Sequence, residues 1–269
     1  MALKDITLGQ YYPADSVIHR MDPRTKILGT LVFLVSLFVV DKLAGFAFCF
    51  AFLAAVVALS TVPVSYMARG LKPVLVLIIF TVLLNMFLST GEVIWSLGFL
   101  KITREGIYRA VFMGVRLVLL IFGTTLLTLT TKPITLTDGL ERLMKPFSKI
   151  GLPAHELAMM MSIALRFIPT LMDETDKIMK AQTARGADFE SGNLLQRAKS
   201  LIPLLVPLFI SAFRIASDLA MAMEARCYRG GEGRTRMNAI KMTGLDTRAF
   251  ICYALYLGAM YYSRTLDLF

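Results

Sequence analysis

The chain has 269 residues, of which 56% are hydrophobic and only 18% charged, and it carries a formal net charge of +10. A soluble domain runs nearer half apolar and a quarter charged, so a mean hydropathy of +0.64 argues for a membrane protein. The basic residues lie between long apolar runs rather than in a patch interleaved with aromatics, which argues against nucleic acid and for cationic flanks of membrane spans.

Residues 1–26 hold Lys4, Asp5, Asp15, His19 and Arg20 and lack the apolar core of a signal peptide, so they are expected to be a retained cytoplasmic segment. Within His19-Arg-Met-Asp-Pro-Arg-Thr-Lys26, Asp22 suits an N-cap and Pro23 the first helical position, with cations anchoring the inner interface. His19 is not explained by capping. Apolar runs suited to spanning a lipid bilayer cover 27–40, 43–60, 73–89, 110–131 and 249–262. Several are shorter than the roughly 20 residues of a straight span. The fold expected is therefore all-α and polytopic, with about five transmembrane helices, four of them in 27–131 and the last in 249–269.

Only Asp41 and Lys42 separate the first two runs, which predicts a tight antiparallel hairpin. Arg20, Arg24 and Lys26 before the first run, Arg69 and Lys72 after the second, and a basic stretch after the fourth place the amino terminus in the cytoplasm. The carboxyl terminus then lies outside. The connection 90–109 holds Lys101, Arg104 and Arg109 against Glu92 and Glu105, more positive than an outer loop should be. Arg116 is a charge inside the fourth run and needs a partner or an interface.

Region 132–248 is expected to be cytoplasmic and to carry long coupling helices. A helical pattern starts after Pro153 and continues to about Ala184. Arg166, Asp173, Lys177 and Lys180 share one face, while Leu157, Met160, Met161, Ala164, Ile168, Leu171, Met172, Ile178 and Met179 fall opposite. Such a helix lies at an interface rather than crossing it. Ser191, Gly192 and Asn193 break the pattern, and a second helical segment runs from about Leu194 to Arg226. Its apolar stretch 201–213 would reach only about 20 Å, so a buried or membrane-grazing helix bent near Pro203 and Pro207 is preferred to a sixth span.

Each long helix ends on a small–Arg–small triplet, Ala184-Arg185-Gly186 and Ala225-Arg226-Cys227. Small neighbours admit a partner's backbone, and arginine offers a planar fork for carboxylates. On spacing alone, docking and simple C-terminal capping explain the triplets equally well. His19 through Lys26, Ala164-Leu-Arg-Phe-Ile-Pro169, Ala184-Arg-Gly186 and Ala225-Arg-Cys-Tyr228, in this order along nearly the whole chain, resemble the transmembrane T component of energy-coupling-factor (ECF) transporters. Cys227 departs from that pattern, since the family often has glycine there.

The resemblance implies that Arg185 and Arg226, each between its small neighbours, dock into two ABC ATPase subunits. It further implies that the apolar faces meet a membrane-embedded substrate-binding S component for uptake of vitamins or other micronutrients, in the plasma membrane of a prokaryote. Met160, Met161, Ala164, Ile168, Leu171, Met172 and Met179 are the expected S-component surface. Methionine's flexible chain suits an interchangeable partner, although core packing explains any single one of them.

No G-x-x-x-x-G-K-[ST] loop is present, so ATP hydrolysis is left to partners and no enzyme activity or cofactor is expected. Asp173 and Asp176, flanked by Lys177 and Lys180, read as a solvated helix face rather than a magnesium site. His19 and His155 lack a metal-ligand set, and the three cysteines show no metal spacing. The alternatives are a permease with its own substrate path, disfavoured by spans whose main polar residues are Asn85 and Arg116, and a membrane enzyme built on the aspartate cluster.

Overall fold

The structure, a computed structural model, describes residues 11–41, 43, 45–97, 100–151, 153–189, 193–230 and 241–265. Lys42, Ser191, Gly192 and the segment 1–10 lie outside them. The chain divides into two compact units, one formed by Gly9–Leu143 with Asn238–Phe269 and the other centred on Met144–Met237.

In the first unit a short helix α1 (Val17–Arg20) precedes α2 (Pro23–Val39), α3 (Gly45–Ser60), α4 (Val64–Leu71), α5 (Leu75–Leu88), α6 (Arg104–Thr130), α7 (Pro133–Met144) and, after the second unit, α11 (Gly244–Thr265). Asp22 caps α2, its carboxylate accepting from Arg24 N at 2.9 Å with Pro23 at the first position. A single 3-10 turn at Pro73 joins α4 to α5, because proline has no N–H to continue the α ladder. The result is one apolar rod, Val64–Leu88. The expected span 73–89 thus begins nine residues earlier. Arg69 and Lys72 hid this, and the Arg69 guanidinium packs 4.6 Å from the Tyr66 ring centre instead of ending the helix.

Helix directions follow from contacts far apart in sequence. Lys26 Nζ, at the start of α2, donates to Thr130 O at the end of α6 at 2.9 Å. At the other end of the pair, Arg116 Nη2 donates to Val40 O at 3.0 Å. Helices α2 and α6 are therefore antiparallel. Asp246 at the start of α11 meets Asp22, and Tyr256 further along meets Ser36, so α11 runs parallel to α2. The core between them is Phe33, Leu37, Phe46, Cys49, Leu53, Met67, Leu119, Leu126 and Tyr256. Arg116, a charge among apolar residues, has its answer here: besides Val40 O, its guanidinium lies 4.7 Å from the Phe112 ring and 5.4 Å from Phe38.

The connection between α5 and α6 is not irregular. Strands β1 (Val93–Leu97) and β2 (Leu100–Thr103) pair antiparallel, with Ser96 opposite Lys101 and a register shift between Val93 and Trp95. The β-branched and aromatic residues there favour extended chain, so this small ribbon is an addition to an otherwise helical molecule. Thr103 ends the ribbon and caps α6, accepting from Gly106 N at 3.0 Å.

The second unit holds a 3-10 segment Lys145–Ile150, α8 (Ala154–Ala184), α9 (Leu194–Ser200) and α10 (Ile202–Ala225). The single helix expected from Leu194 to Arg226 is interrupted at Leu201. Pro203 then falls in the first turn of α10, where a missing N–H costs nothing. By length and composition α10 joins Val64–Leu88 and α6 among the helices able to cross a membrane. Its 24 residues exceed the apolar stretch 201–213, because Arg214, Asp218 and Glu224 continue the helix.

Candidate partner-docking site

Helix α8 spans 31 residues. Arg166, Asp173, Lys177 and Lys180 are all exposed, as the one-sided charge pattern requires. Its other side packs on α10. Gln182 Nε2 donates to Pro203 O at 3.3 Å, and Ser211 Oγ donates to Glu174 Oε1 at 3.3 Å. Met159 and Ile163 line a cavity together with Leu219 and Met223. The end of α8 meets the start of α10 and the start of α8 meets its end, so the pair is antiparallel. Arg185 and Arg226 consequently sit at opposite ends of the pair, about 36 Å apart if separated by the length of α10.

Both arginines occupy the same local structure. Arg185 is the C-cap of α8; Gly186 N donates to Thr183 O and Ala187 N to Gln182 O, at 2.9 and 3.0 Å. Arg226 is the C-cap of α10; Cys227 N donates to Glu224 O and Tyr228 N to Met223 O, at 2.8 and 3.0 Å. Each is a Schellman motif, which turns the chain through a left-handed residue just past the cap. Gly186 holds φ 90 and Cys227 φ 57. The tolerance for cysteine at 227 is thus a matter of backbone sign more than of side-chain size. Ala184, Arg185, Gly186, Ala225, Arg226 and Cys227 are all exposed. Among the described residues neither guanidinium has a hydrogen bond or an ion pair. Two cations are thus presented at helix ends whose dipoles favour them.

On the expected S-component face, Met160 and Met161 are 53% and 41% exposed. Ala164 is exposed, and Ile168, Leu171, Met172 and Met179 are half-buried. Only Ala154 and Ala158 of α8 are fully buried, so within this unit the stripe is not consumed by packing. Among the described residues no three His, Cys, Asp or Glu side chains converge on a metal position.

A second cluster, around the start of α2 in the first unit, was only half legible. Asp246, 1% exposed, accepts from Asp22 N at 2.9 Å, Thr243 N at 2.7 Å and Thr243 Oγ at 3.0 Å. Lys26 Nζ also reaches His19 O, at 3.2 Å. Burial alone would raise the Asp22 carboxyl, but hydrogen bonds from the Arg24 side chain and backbone bring it below the usual range. His19 Nε2 faces Tyr12 O at 3.1 Å and Nδ1 faces Ser16 Oγ at 2.7 Å. A carbonyl only accepts, so Nε2 carries the proton and Nδ1 of the neutral ring accepts from the serine. Burial holds this imidazole below its ordinary pKa. Its role is to pin the incoming chain. Asp246 was missed, although Thr243-Gly-Leu-Asp246 has the spacing of a capping box.

The order of these elements is matched by the family model for CbiQ, cobalt transport protein, over residues 14–237. The chain is 63% identical over 253 residues to the energy-coupling factor transporter transmembrane protein EcfT of Thermosediminibacter oceani, covering 94% of this chain and 96% of that one. The chain belongs to this family. Similarity to the Clostridium kluyveri protein of the same description is 59% over 252 residues, covering 93% of each chain. With the Bacillus subtilis relative, 47% identity extends over 263 residues, 97% of this chain and 99% of the relative. All the resembling motifs, from His19–Lys26 to Ala225–Tyr228, and both arginine triplets fall inside 14–237.

Proposed function

We propose that this chain is the transmembrane coupling subunit of an ECF-type importer, and that Arg185 and Arg226 are its two anchors for two ABC ATPase subunits. The observation that carries the reading is the pair of matching helix ends: each presents an exposed arginine with no hydrogen-bond or ion-pair partner among the described residues, at opposite ends of one antiparallel helix pair. A two-subunit motor needs two separate points of attachment. Membership of the ECF transmembrane family supports the same reading. ATP binding and hydrolysis belong to the partners, since the chain carries no phosphate-cradling loop. The methionine-bearing face of α8 then meets the S component, which binds the substrate, a vitamin or other micronutrient.

In this reading 132–248 is the cytoplasmic region, the amino terminus is cytoplasmic, and the protein resides in the plasma membrane of a prokaryote. The basic residues around α1, α4 and α7 support that orientation. The deciding experiment is uptake, together with ATPase co-purification, for Arg185→Ala, Arg226→Ala and the double variant at equal membrane abundance. Losing one partner of a desolvated charged pair costs about 2–5 kcal/mol, so each single change should weaken retention and the double change should abolish transport. An exposed pair is worth under about 1 kcal/mol. Native uptake and native ATPase retention in the double variant would reduce these arginines to helix caps and remove the coupling assignment.

A further inference from the structure

The positive charge in the connection between α5 and α6 has no place in the coupling role. Lys101, Arg104 and Arg109 against Glu92 and Glu105 leave one cation in excess. Arg109 is exposed and, among the described residues, makes no hydrogen bond or ion pair. Glu105, one turn earlier on α6, does not pair with it; that carboxylate lies over Gly91, where an added Cβ would meet Oε2 at 2.7 Å.

Arg109 opens onto a cavity of about 330 Å³ lined also by Leu84, Asn85, Leu88, Ser89 and Thr90. Two of its polar groups are already engaged. The Asn85 amide donates to Thr81 O at 2.9 Å and the Ser89 hydroxyl to Asn85 O at 2.6 Å. The guanidinium and the exposed Thr90 hydroxyl remain as donors. The cavity is therefore a cationic recess with room for several water-sized groups.

Its position says what fills it. Leu88 is the last residue of α5 and is 74% exposed, and the chain turns polar at Ser89 and Thr90. Arg109 thus stands at the level where the apolar surface ends. Below it Leu77, Phe80, Leu84 and Leu88 form one stripe along α5, exposed by 57%, 57%, 40% and 74%. At helical rise this stripe is about 17 Å long, an apolar lane leading down from a cation.

We infer that Arg109 and Thr90 bind the phosphate of an anionic phospholipid whose acyl chain lies along Leu77, Phe80, Leu84 and Leu88. The recess is cationic and the surface beneath it is acyl-like, and one excess positive charge calls for one negative headgroup.

The test is native mass spectrometry of the full chain, co-expressed with its partners and released from nanodiscs containing equal phosphatidylglycerol and phosphatidylcholine of the same chain length. The native protein should retain one more phosphatidylglycerol than Arg109→Gln, with about a tenfold weaker lipid occupancy in the variant and no change in phosphatidylcholine. Arg109→Lys, which keeps the charge, should retain most of the lipid and so guards against a folding defect. Inorganic phosphate added at millimolar concentration should not displace the lipid. Equal phosphatidylglycerol in native and Arg109→Gln protein, or loss of the lipid to phosphate alone, would overturn the assignment.

Discussion

The two arginine-bearing helix ends share a backbone but differ in the residue that takes the left-handed turn, Gly186 in one and Cys227 in the other, and this gives a reciprocal prediction. Gly186 holds φ 90 with no atom within 4 Å of an added Cβ, so Gly186→Ala tests the backbone alone. A left-handed conformation costs a non-glycine residue about 1–2 kcal/mol. Offset by about 0.5–1 kcal/mol because alanine has less freedom than glycine when the end unravels, this leaves a net cost of about 0.5–1 kcal/mol and raises the local opening equilibrium of the α8 end roughly two- to fivefold. Cys227 already bears the left-handed cost at φ 57. Cys227→Gly relieves it, offset by about 0.5–1 kcal/mol for glycine's greater freedom when the end unravels. The net gain is about 0.5–1 kcal/mol, or roughly two- to fivefold slower opening.

The assay is amide hydrogen exchange of Ala187 and Tyr228 in the assembled transporter, because these two amides close the Schellman bonds. Faster exchange at Ala187 in Gly186→Ala and slower exchange at Tyr228 in Cys227→Gly are the expected results. Unchanged exchange in Gly186→Ala, or faster exchange in Cys227→Gly, would show that backbone sign does not govern the arginine-bearing ends.

Three further perturbations address the first unit. Asp246→Ala removes a buried acceptor of three hydrogen bonds and strands the Asp22 amide, so it should cost about 3 kcal/mol and be seen as a lowered thermal midpoint in detergent. His19 is held below its ordinary pKa, so the unfolded chain binds its proton more readily. Stability from this site is then complete above the unfolded value near 6.5 and declines as pH falls below it, and thermal midpoints measured from pH 7.5 to 5 should fall less steeply in His19→Gln. Gly29→Ala places a methyl group against the Tyr253 ring and hydroxyl, so that ring must move from its packed position, with a cost of about 1–3 kcal/mol readable by the same thermal assay.

What could be read from sequence was what local periodicity encodes. The limits of α8, the cap at Asp22 and the triplets at 185 and 226 each depend on residues within a few positions, and the structure places them where the pattern does. The features missed depend on distant partners or on backbone sign. Asp22 and Asp246 are 224 residues apart, and no spacing rule joins them. Lys26 looked like an interfacial anchor but is buried and capped on the carbonyl ends of two other segments. Arg69 and Lys72 disguised the start of the third span because charged residues suggest an end, whereas one stacks on Tyr66. The role of residue 227 was judged by volume, when its φ decides what it costs.

Helices α2 and α3, at 17 and 16 residues, are only about 25 and 24 Å long, against a hydrocarbon layer near 30 Å. The amino-terminal end of α2 does not wait for water to satisfy its polar groups: Asp246 takes the Asp22 amide, and Lys26 takes the carbonyls of Thr130 at the end of α6 and of His19 in the preceding turn. Such an end can lie below the headgroups without stranding polar backbone. A hydrocarbon layer of full thickness would exceed these two helices by about 5 Å, a mismatch that the longer rods α4–α5 and α6 do not have. The cost of that mismatch, fractions of a kcal/mol per ångström, varies with the acyl length of the host membrane.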